Sequence, residues 1–247
     1  MAESDDLPPP PALASLSGRG PLALFLDFDG TLVEIAETPD AISVPDDLAQ
    51  RVERLAERLD GRLALVSGRA LDDLEGHLGK VALYRAGSHG ADCLRADGST
   101  IGHAAEALPD EVVRHLRAFA ADNGLDYEEK SHGGALHFRR APELREAAET
   151  MAGEVAEAHG LDIKRGKGVC ELVHPGADKG AALAAFMDEA LFSGALPVFV
   201  GDDLTDEDGF EAASARGGFG IVVGTRTPTA AHYRLSDVQE VHTWLTL

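Results

Sequence analysis

From residue 21 onward the chain repeats one pattern: a short run that is apolar at every position stops at a polar or charged residue, and a stretch with apolar residues at helical spacing follows. PLALFLDF, GRLALVSGR, VALYRAGSHGAD and LPVFVGDD are runs of this kind, and GFGIVVG is a further strand. Successive strand side chains point to opposite faces, so a run without polar positions must be covered on both, as in a parallel sheet. PDDLAQRVERLAERL carries Leu48, Val52, Leu55 and Leu59 at helical spacing, and Pro45, Asp46 and Asp47 mark the helix start. ALDDLEGHL, DKGAALAAFMDEAL and SDVQEVHTWL also read as helices. Strands alternating with helices predict an α/β sheet.

The texture changes near Leu108. LPDEVVRHLRAFAADNG and APELREAAETMAGEVAEAHG are long amphipathic helices, and LDYEEKS, GALHFRR and LDIKRGKGVCELVHP supply alternating strands open on one face. The order helix, two strands, helix, two strands describes a compact α+β unit, after which the first pattern resumes. The expected organisation is therefore a core formed by residues 21–104 and 174–247, split around an inserted unit at 105–173. Residues 1–20, acidic at the start and then carrying four consecutive prolines, are expected to be a disordered lead.

Charge narrows the partners. With 43 acids against 22 bases the net charge is -21, which repels nucleic-acid backbones and anionic lipid surfaces. No apolar stretch approaches the ~18 residues needed to cross a bilayer, and the N-terminus lacks the basic start of a signal peptide. Cys93 and Cys170 stand far apart with no CxxC pair, so neither disulfide framework nor zinc site is indicated. A cytoplasmic monomer is expected, with neither nucleic acid nor membrane as partner.

The chemistry lies at the ends of the apolar runs, where open α/β sheets bind ligands. One run ends in Asp27 and Asp29, another in Ser67, a third in GDDLTDED with Asp202, Asp203 and Asp206. Carboxylates so concentrated require a cation, because two like charges ~4 Å apart repel by about 4 kcal/mol at an effective dielectric of 20. Oxygen ligands without thiols or paired histidines select Mg²⁺, with Ca²⁺ as competitor. An EF-hand loop starting at Asp27 would put Leu32 and Thr38 where glycine and glutamate belong, so that reading fails. GGFGIVVG lacks the dinucleotide spacing, and no GxxxxGK loop is present.

Two carboxylates one residue apart suit a division of roles, in which Asp27 attacks phosphorus while Asp29 protonates the leaving oxygen and then activates water. Gly30 and Thr31 turn the chain so that both reach one phosphate. Ser67 and Lys179, at a strand end and a helix start, are donors for its oxygens.

The ordered pieces DFDGTL, SGR, DKG and GDDLTDED resemble the motifs of the haloacid dehalogenase superfamily of phosphotransferases. More narrowly, GSHGAD, EEKSHGGALHFR and GDDLTDEDGF resemble the trehalose-6-phosphate phosphatase family of trehalose biosynthesis. The resemblance implies a Rossmann-like core with an α/β cap of the C2B type, and Mg²⁺-dependent hydrolysis of a sugar phosphate through an aspartyl phosphate. It implies Asp27 as nucleophile, Asp29 as acid/base, and Ser67 and Lys179 as phosphate binders. Asp27, Asp202 and the Asp29 carbonyl match metal ligands, with Asp203 and Asp206 in the metal set as supports behind them. Glu128, Lys130 and Glu171 match residues that grip sugar hydroxyls, and Arg69, His89, His137 and Arg139 complete the substrate-binding set. Another sugar-phosphate phosphatase, a phosphomutase, or a catalytically silent regulatory member are the alternatives.

Overall fold

The structure, a computed structural model, describes residues 7–36, 41–102, 107–129, 133–166, 168–176 and 178–247. The chain divides into two compact units, one formed by residues 1–103 and 178–247, the other by residues 104–177.

The larger unit begins with α1 (Leu13–Ser17), β1 (Leu22–Leu26), α2 (Leu48–Arg58), β2 (Leu63–Val66), α3 (Leu71–Leu78), β3 (Tyr84–Gly87) and β4 (Asp92–Leu94). The smaller unit contains α4 (Asp110–Asn123), β5 (Asp126–Glu129), β6 (Gly133–His137), α5 (Arg145–His159), β7 (Asp162–Gly166) and β8 (Val169–Val173). The larger unit then resumes with α6 (Lys179–Met187), β9 (Leu196–Gly201), α7 (Glu207–Ala215), β10 (Phe219–Val223), β11 (Tyr233–Leu235) and α8 (Val238–Leu245).

Its sheet runs β11-β10-β9-β1-β2-β3-β4, parallel throughout except for the β3–β4 pairing. β1 and β9 lie at its centre, so their polar ends, Asp27 and Asp202, emerge side by side. Every residue of β1, β2 and β10 is buried, as the unbroken apolar runs require. One face packs Leu24, Leu26, Leu63 and Val200 against Val52 and Leu55 of α2 and Val241 and Leu245 of α8. On the other, Phe25 stacks on Phe186 and Phe192, with ring centroids 6.3 and 5.9 Å apart.

The smaller unit is an antiparallel sheet in the order β5-β6-β8-β7. Leu136, Cys170 and Leu172 pack with Val112 and Leu116 of α4 and Ala148 and Ala152 of α5. Both helices end on a left-handed glycine, Gly124 or Gly160, a conformation that costs glycine little.

Residues 1–20, expected as a disordered lead, are ordered wherever they are described. Leu13 and Leu16 are buried, the indole N–H of Trp244 donates to the Pro11 carbonyl at 2.9 Å, and the Arg234 amide donates to that of Pro8 at 3.1 Å. Prolines prevent a ladder but keep their carbonyls as acceptors, and the apolar spacing Leu13, Leu16 is enough for one buried turn. β4, α7 and β11 were not read from the sequence: β4 and β11 are three-residue edge strands, and α7 grows out of the acid-rich GDDLTDED segment.

Because Phe25 is fully buried and packed against two other rings, Phe25→Ala should lower the unfolding free energy by about 3–5 kcal/mol. Urea denaturation would show it as a lower midpoint with an unchanged slope.

Candidate active site

The first turn of the site is built by Phe28. Its side chain is fully buried, and its carbonyl receives the amides of Thr31, Leu32 and Val33 at 3.4, 2.9 and 3.1 Å. The Asp27 amide still pairs with the Val200 carbonyl at 2.9 Å, so Asp27 closes β1 while Asp29 already belongs to the turn. Gly30 has φ +77, and a Cβ there would overlap the Asp202 carboxylate. Glycine is thus needed twice, for the left-handed backbone and for the approach of the β9 end.

Asp27, Asp202 and Asp206 each present a carboxylate oxygen within 4.8 Å of the others. Lys179, at the start of α6 and 3% exposed, donates to Asp27 Oδ1 at 2.8 Å and Asp206 Oδ1 at 2.6 Å. Asp178 caps the same helix, accepting from the Ala181 amide at 2.7 Å. Three ionised carboxylates against one ammonium would leave two negative charges at a site where Asp27 and Asp206 are buried and Asp202 is half-buried.

That imbalance governs the protonation of the group. Burial, reinforced by the neighbouring Asp206 and Asp202 charges, holds the Asp27 carboxyl well above the usual carboxylate range against the pull of Lys179. Burial and the Asp206 charge push Asp202 up to about 7. Burial opposes the charge on Lys179, and the Asp206 and Asp27 carboxylates overcome it, so the ammonium is retained. A divalent cation fits this donor set: it brings two positive charges to an all-oxygen cluster, in which Lys179 engages neither Asp27 Oδ2 nor the Asp202 carboxylate.

Asp203, expected in the metal set, is outside the oxygen cluster. Its exposed carboxylate accepts from the Leu204 amide at 2.7 Å, while Asp206 Oδ2 accepts from the Asp203 amide at 2.8 Å. This reciprocal capping folds the turn and leaves Asp206 facing Lys179.

Ser67 ends β2 and is fully buried; its Oγ accepts the Arg69 amide at 3.1 Å, which leaves the hydroxyl proton for another partner. Arg69 forks onto Asp29, Nε to Oδ2 at 2.6 Å and Nη2 to Oδ1 at 2.7 Å, and its Nη1 donates to Asp73 Oδ2 at 2.7 Å. The structure therefore sets Arg69 against Asp29, where the sequence suggested substrate. His89 lies against the Ser67–Arg69 loop, its ring filling the space a Cβ on Gly68 would need.

In the smaller unit, strand register aligns Glu128, Ala135, Glu171 and Lys164 in one row across the sheet, on the face away from α4 and α5. Glu171 is 4% exposed, whereas Glu128 is exposed and bonds to His137 Nε2 at 2.9 Å. Arg139 stands exposed in the turn after β6. Lys130 lies outside the described residues.

Two residues of this arrangement were missed. Lys164 enters the row through the β7–β8 register, which spacing along the chain does not reveal. Arg226 donates to the carbonyls of Asp202 at 3.4 Å and Asp203 at 3.1 Å and pairs with Glu207, clamping the acid-bearing turn from more than twenty residues away. No local signal marks it.

A parallel α/β core with an acidic strand end, a buried lysine and an inserted α/β unit is a fold shared with solved haloacid dehalogenase-like phosphatases and hydrolases. The family model for trehalose-phosphatase matches residues 25–239, and the chain belongs to that family. It is 40% identical over 226 residues to a trehalose-6-phosphate phosphatase of Escherichia coli (strain K12), covering 90% of this chain and 85% of that one. Among solved structures, a trehalose-6-phosphate phosphatase related protein is similar with TM-score 0.69 and 27% identity, covering 91% of this chain and 95% of that one. The C-terminal domain of trehalose-6-phosphate phosphatase from C. albicans shares the fold with TM-score 0.79 at 21% identity, covering 99% of this chain and 100% of that one.

Two outcomes follow. The Asp202 carboxyl binds its proton more tightly folded than unfolded, so its contribution to stability is complete below the ordinary value of 3.8 and is lost as pH rises through about 7. A hard divalent cation should therefore raise the thermal midpoint more at about pH 8 than at about pH 6; an equal or reversed effect in calorimetry excludes the cluster as the binding site. Arg226→Ala, by releasing the turn that carries Asp202, should weaken metal binding by about 10–100-fold in a calorimetric titration.

Proposed function

We propose that the protein is a Mg²⁺-dependent phosphatase that hydrolyses trehalose 6-phosphate to trehalose and inorganic phosphate through an aspartyl phosphate on Asp27. The observation that carries this reading is the buried Asp27–Lys179–Asp206 bridge beside Asp202, a charge arrangement that favours a dication and with it an anionic substrate. Its relatives' names supply the substrate.

Asp27, Asp202 and the Asp29 carbonyl would hold Mg²⁺, which when bound neutralises charge between nucleophile and phosphate. Lys179 holds Asp27 Oδ1, and one carboxylate oxygen of Asp27 is the attacking atom. It forms a bond to phosphorus as the bond to the sugar oxygen breaks, and Asp29 delivers a proton to that oxygen. Asp29, now a carboxylate, then removes a proton from a water whose oxygen bonds to phosphorus as the bond between the Asp27 oxygen and phosphorus breaks, and inorganic phosphate leaves. Arg69 orients Asp29 through its two-pronged contact, and Asp73 holds Arg69 in turn. The Lys179 ammonium and the Ser67 hydroxyl face the phosphate oxygens.

For the sugar, Glu171 and Glu128 are the acceptors we assign to hydroxyl groups, Lys130 a donor, and His137 the partner that orients Glu128. Lys164, beside Glu171 in register, and Arg139 add positive charge to the same strands. We place the protein in the cytoplasm as a monomer. Burial pushes the Cys93 thiol up to about 12 and the Cys170 thiol up to about 11, which keeps both protonated. Among the described residues no helix is long and apolar enough to cross a membrane.

Phosphate release from trehalose 6-phosphate should require Mg²⁺ and stop in EDTA, and Asp27→Asn should abolish it. Asp29→Asn should slow turnover by about 10² to 10⁴ with the Michaelis constant little changed. A panel of sugar phosphates tests the substrate: equal turnover of glucose 6-phosphate and trehalose 6-phosphate contradicts the assignment, and transfer of phosphate to a second sugar would reveal a mutase.

A further inference from the structure

The segment Gly87–Gly90 is part of GSHGAD, and the mechanism above uses none of its side chains. Ser88 and His89 are consecutive non-glycine residues with φ +50 and +57, in the left-handed region that side chains avoid. Ser88 is fully buried, and its Oγ has no partner among the described residues, so hydrogen bonding by its hydroxyl does not explain the conformation.

What holds it is the main chain on either side. The Ser88 amide donates to the Arg69 carbonyl at 2.6 Å and the His89 amide to the Ser67 carbonyl at 2.9 Å, while the Ser67 amide donates to Ala86 at 2.9 Å. Contact is close all along this flank. A Cβ on Gly68 would lie 2.6 Å from the His89 ring, and one on Gly87 would lie 2.8 Å from the Leu71 amide and 3.0 Å from the Arg69 carbonyl. On the opposite flank Gly90, with φ +102, abuts the first turn of α6. A Cβ there would overlap the Asp178 carbonyl oxygen and sit 3.1 Å from Ala182 Cβ. That oxygen accepts the Ala182 amide at 3.1 Å, and Lys179 is the next residue.

We propose that Gly87–Ser88–His89–Gly90 is a positioning spacer, a strained wedge that sets the separation between Ser67 on one side and Lys179 on the other and so fits the pair to one phosphate group. The proposal rests on the reading of Ser67 and Lys179 as the phosphate grips. A relaxed segment would let the two loops drift independently; backbone held in a disfavoured region by hydrogen bonds on one side and steric contact on the other transmits the position of each to the other. Ser67 and Lys179 lie more than a hundred residues apart in the chain, and this segment touches the neighbourhoods of both. Displacements of about 1 Å in such groups can cost about 10²-fold in rate.

The test compares two glycines of the same unit. Gly90→Ala introduces a side chain at positive φ that collides with the start of α6. Gly98→Ala introduces one at φ +85 where nothing lies within 4 Å. Both variants should lose thermal stability. Gly90→Ala should lower kcat on trehalose 6-phosphate by about 10- to 100-fold and weaken competitive inhibition by inorganic phosphate to a similar degree, while Gly98→Ala keeps both near the parent values. If Gly90→Ala matches Gly98→Ala in rate and phosphate inhibition, the spacer is overturned.

Should Gly90→Ala fail to fold, the same question is answered at Gly87, where a side chain would meet the Leu71 amide and the Arg69 carbonyl. Gly87→Ala should weaken phosphate inhibition by about 10-fold or more; inhibition equal to that of Gly98→Ala overturns the positioning role. Lys179→Met separates the layers: unchanged phosphate inhibition there removes the grip assignment and the spacer with it. A crippled Lys179→Met beside a normal Gly90→Ala removes the spacer alone.

Discussion

The ammonium of Lys179, shut away from water between Asp27 and Asp206, is the interaction on which the core is organised. Removing charges from water is costly, and the cost is offset only where opposite charges meet in close, fully bonded geometry. Such geometry demands that the end of β1, the turn after β9 and the first residue of α6 converge without slack. The central position of β1 and β9 in a parallel sheet provides that rigidity, with apolar layers on both faces preventing any strand from shifting register. The bridge nevertheless leaves its charges unbalanced. With one cation for three acids, the site keeps an appetite for a dication, in a molecule whose net charge of -21 would otherwise repel a phosphate ester.

Closeness of the acidic groups depends on what is absent from the backbone. Gly30 gives way to the Asp202 carboxylate and Gly201 to that of Asp206. Around these open positions the turns are stiffened by main-chain bonding: Phe28 collects three amides beneath Asp27 and Asp29, and Arg226 grips two carbonyls beneath Asp202 and Asp203. The site thereby consists of short carboxylate side chains on fixed backbone, which leaves little room for reorganisation. In the smaller unit the row of Glu128, Ala135, Glu171 and Lys164 places acceptors and a cation on one face of a four-stranded sheet.

The periodicity of the chain was sufficient to read the strands at 22–26, 63–66 and 196–201, the helices between them, and the inserted unit, because burial on both faces leaves no polar position in a strand and burial on one face leaves every second. It was insufficient for the N-terminal residues. Prolines suggested disorder, and only the placement of Trp244 and Arg234 beside them shows where their carbonyls are bonded.

The same division holds at the site. Residue type and order along the chain marked the groups to which we assign the chemistry: Asp27, Asp29, Ser67, Lys179 and the acids of GDDLTDED stand at strand ends and helix starts, and those positions are local properties. Tertiary structure decided how they share the work. Asp206 rather than Asp203 joins Asp27, Arg69 turns to Asp29, Arg226 clamps a turn far from it in sequence, and Lys164 enters by register. Each of these depends on which atoms meet after the sheet has closed, and distance in space between residues separated by tens of positions is a property of packing that no local pattern encodes.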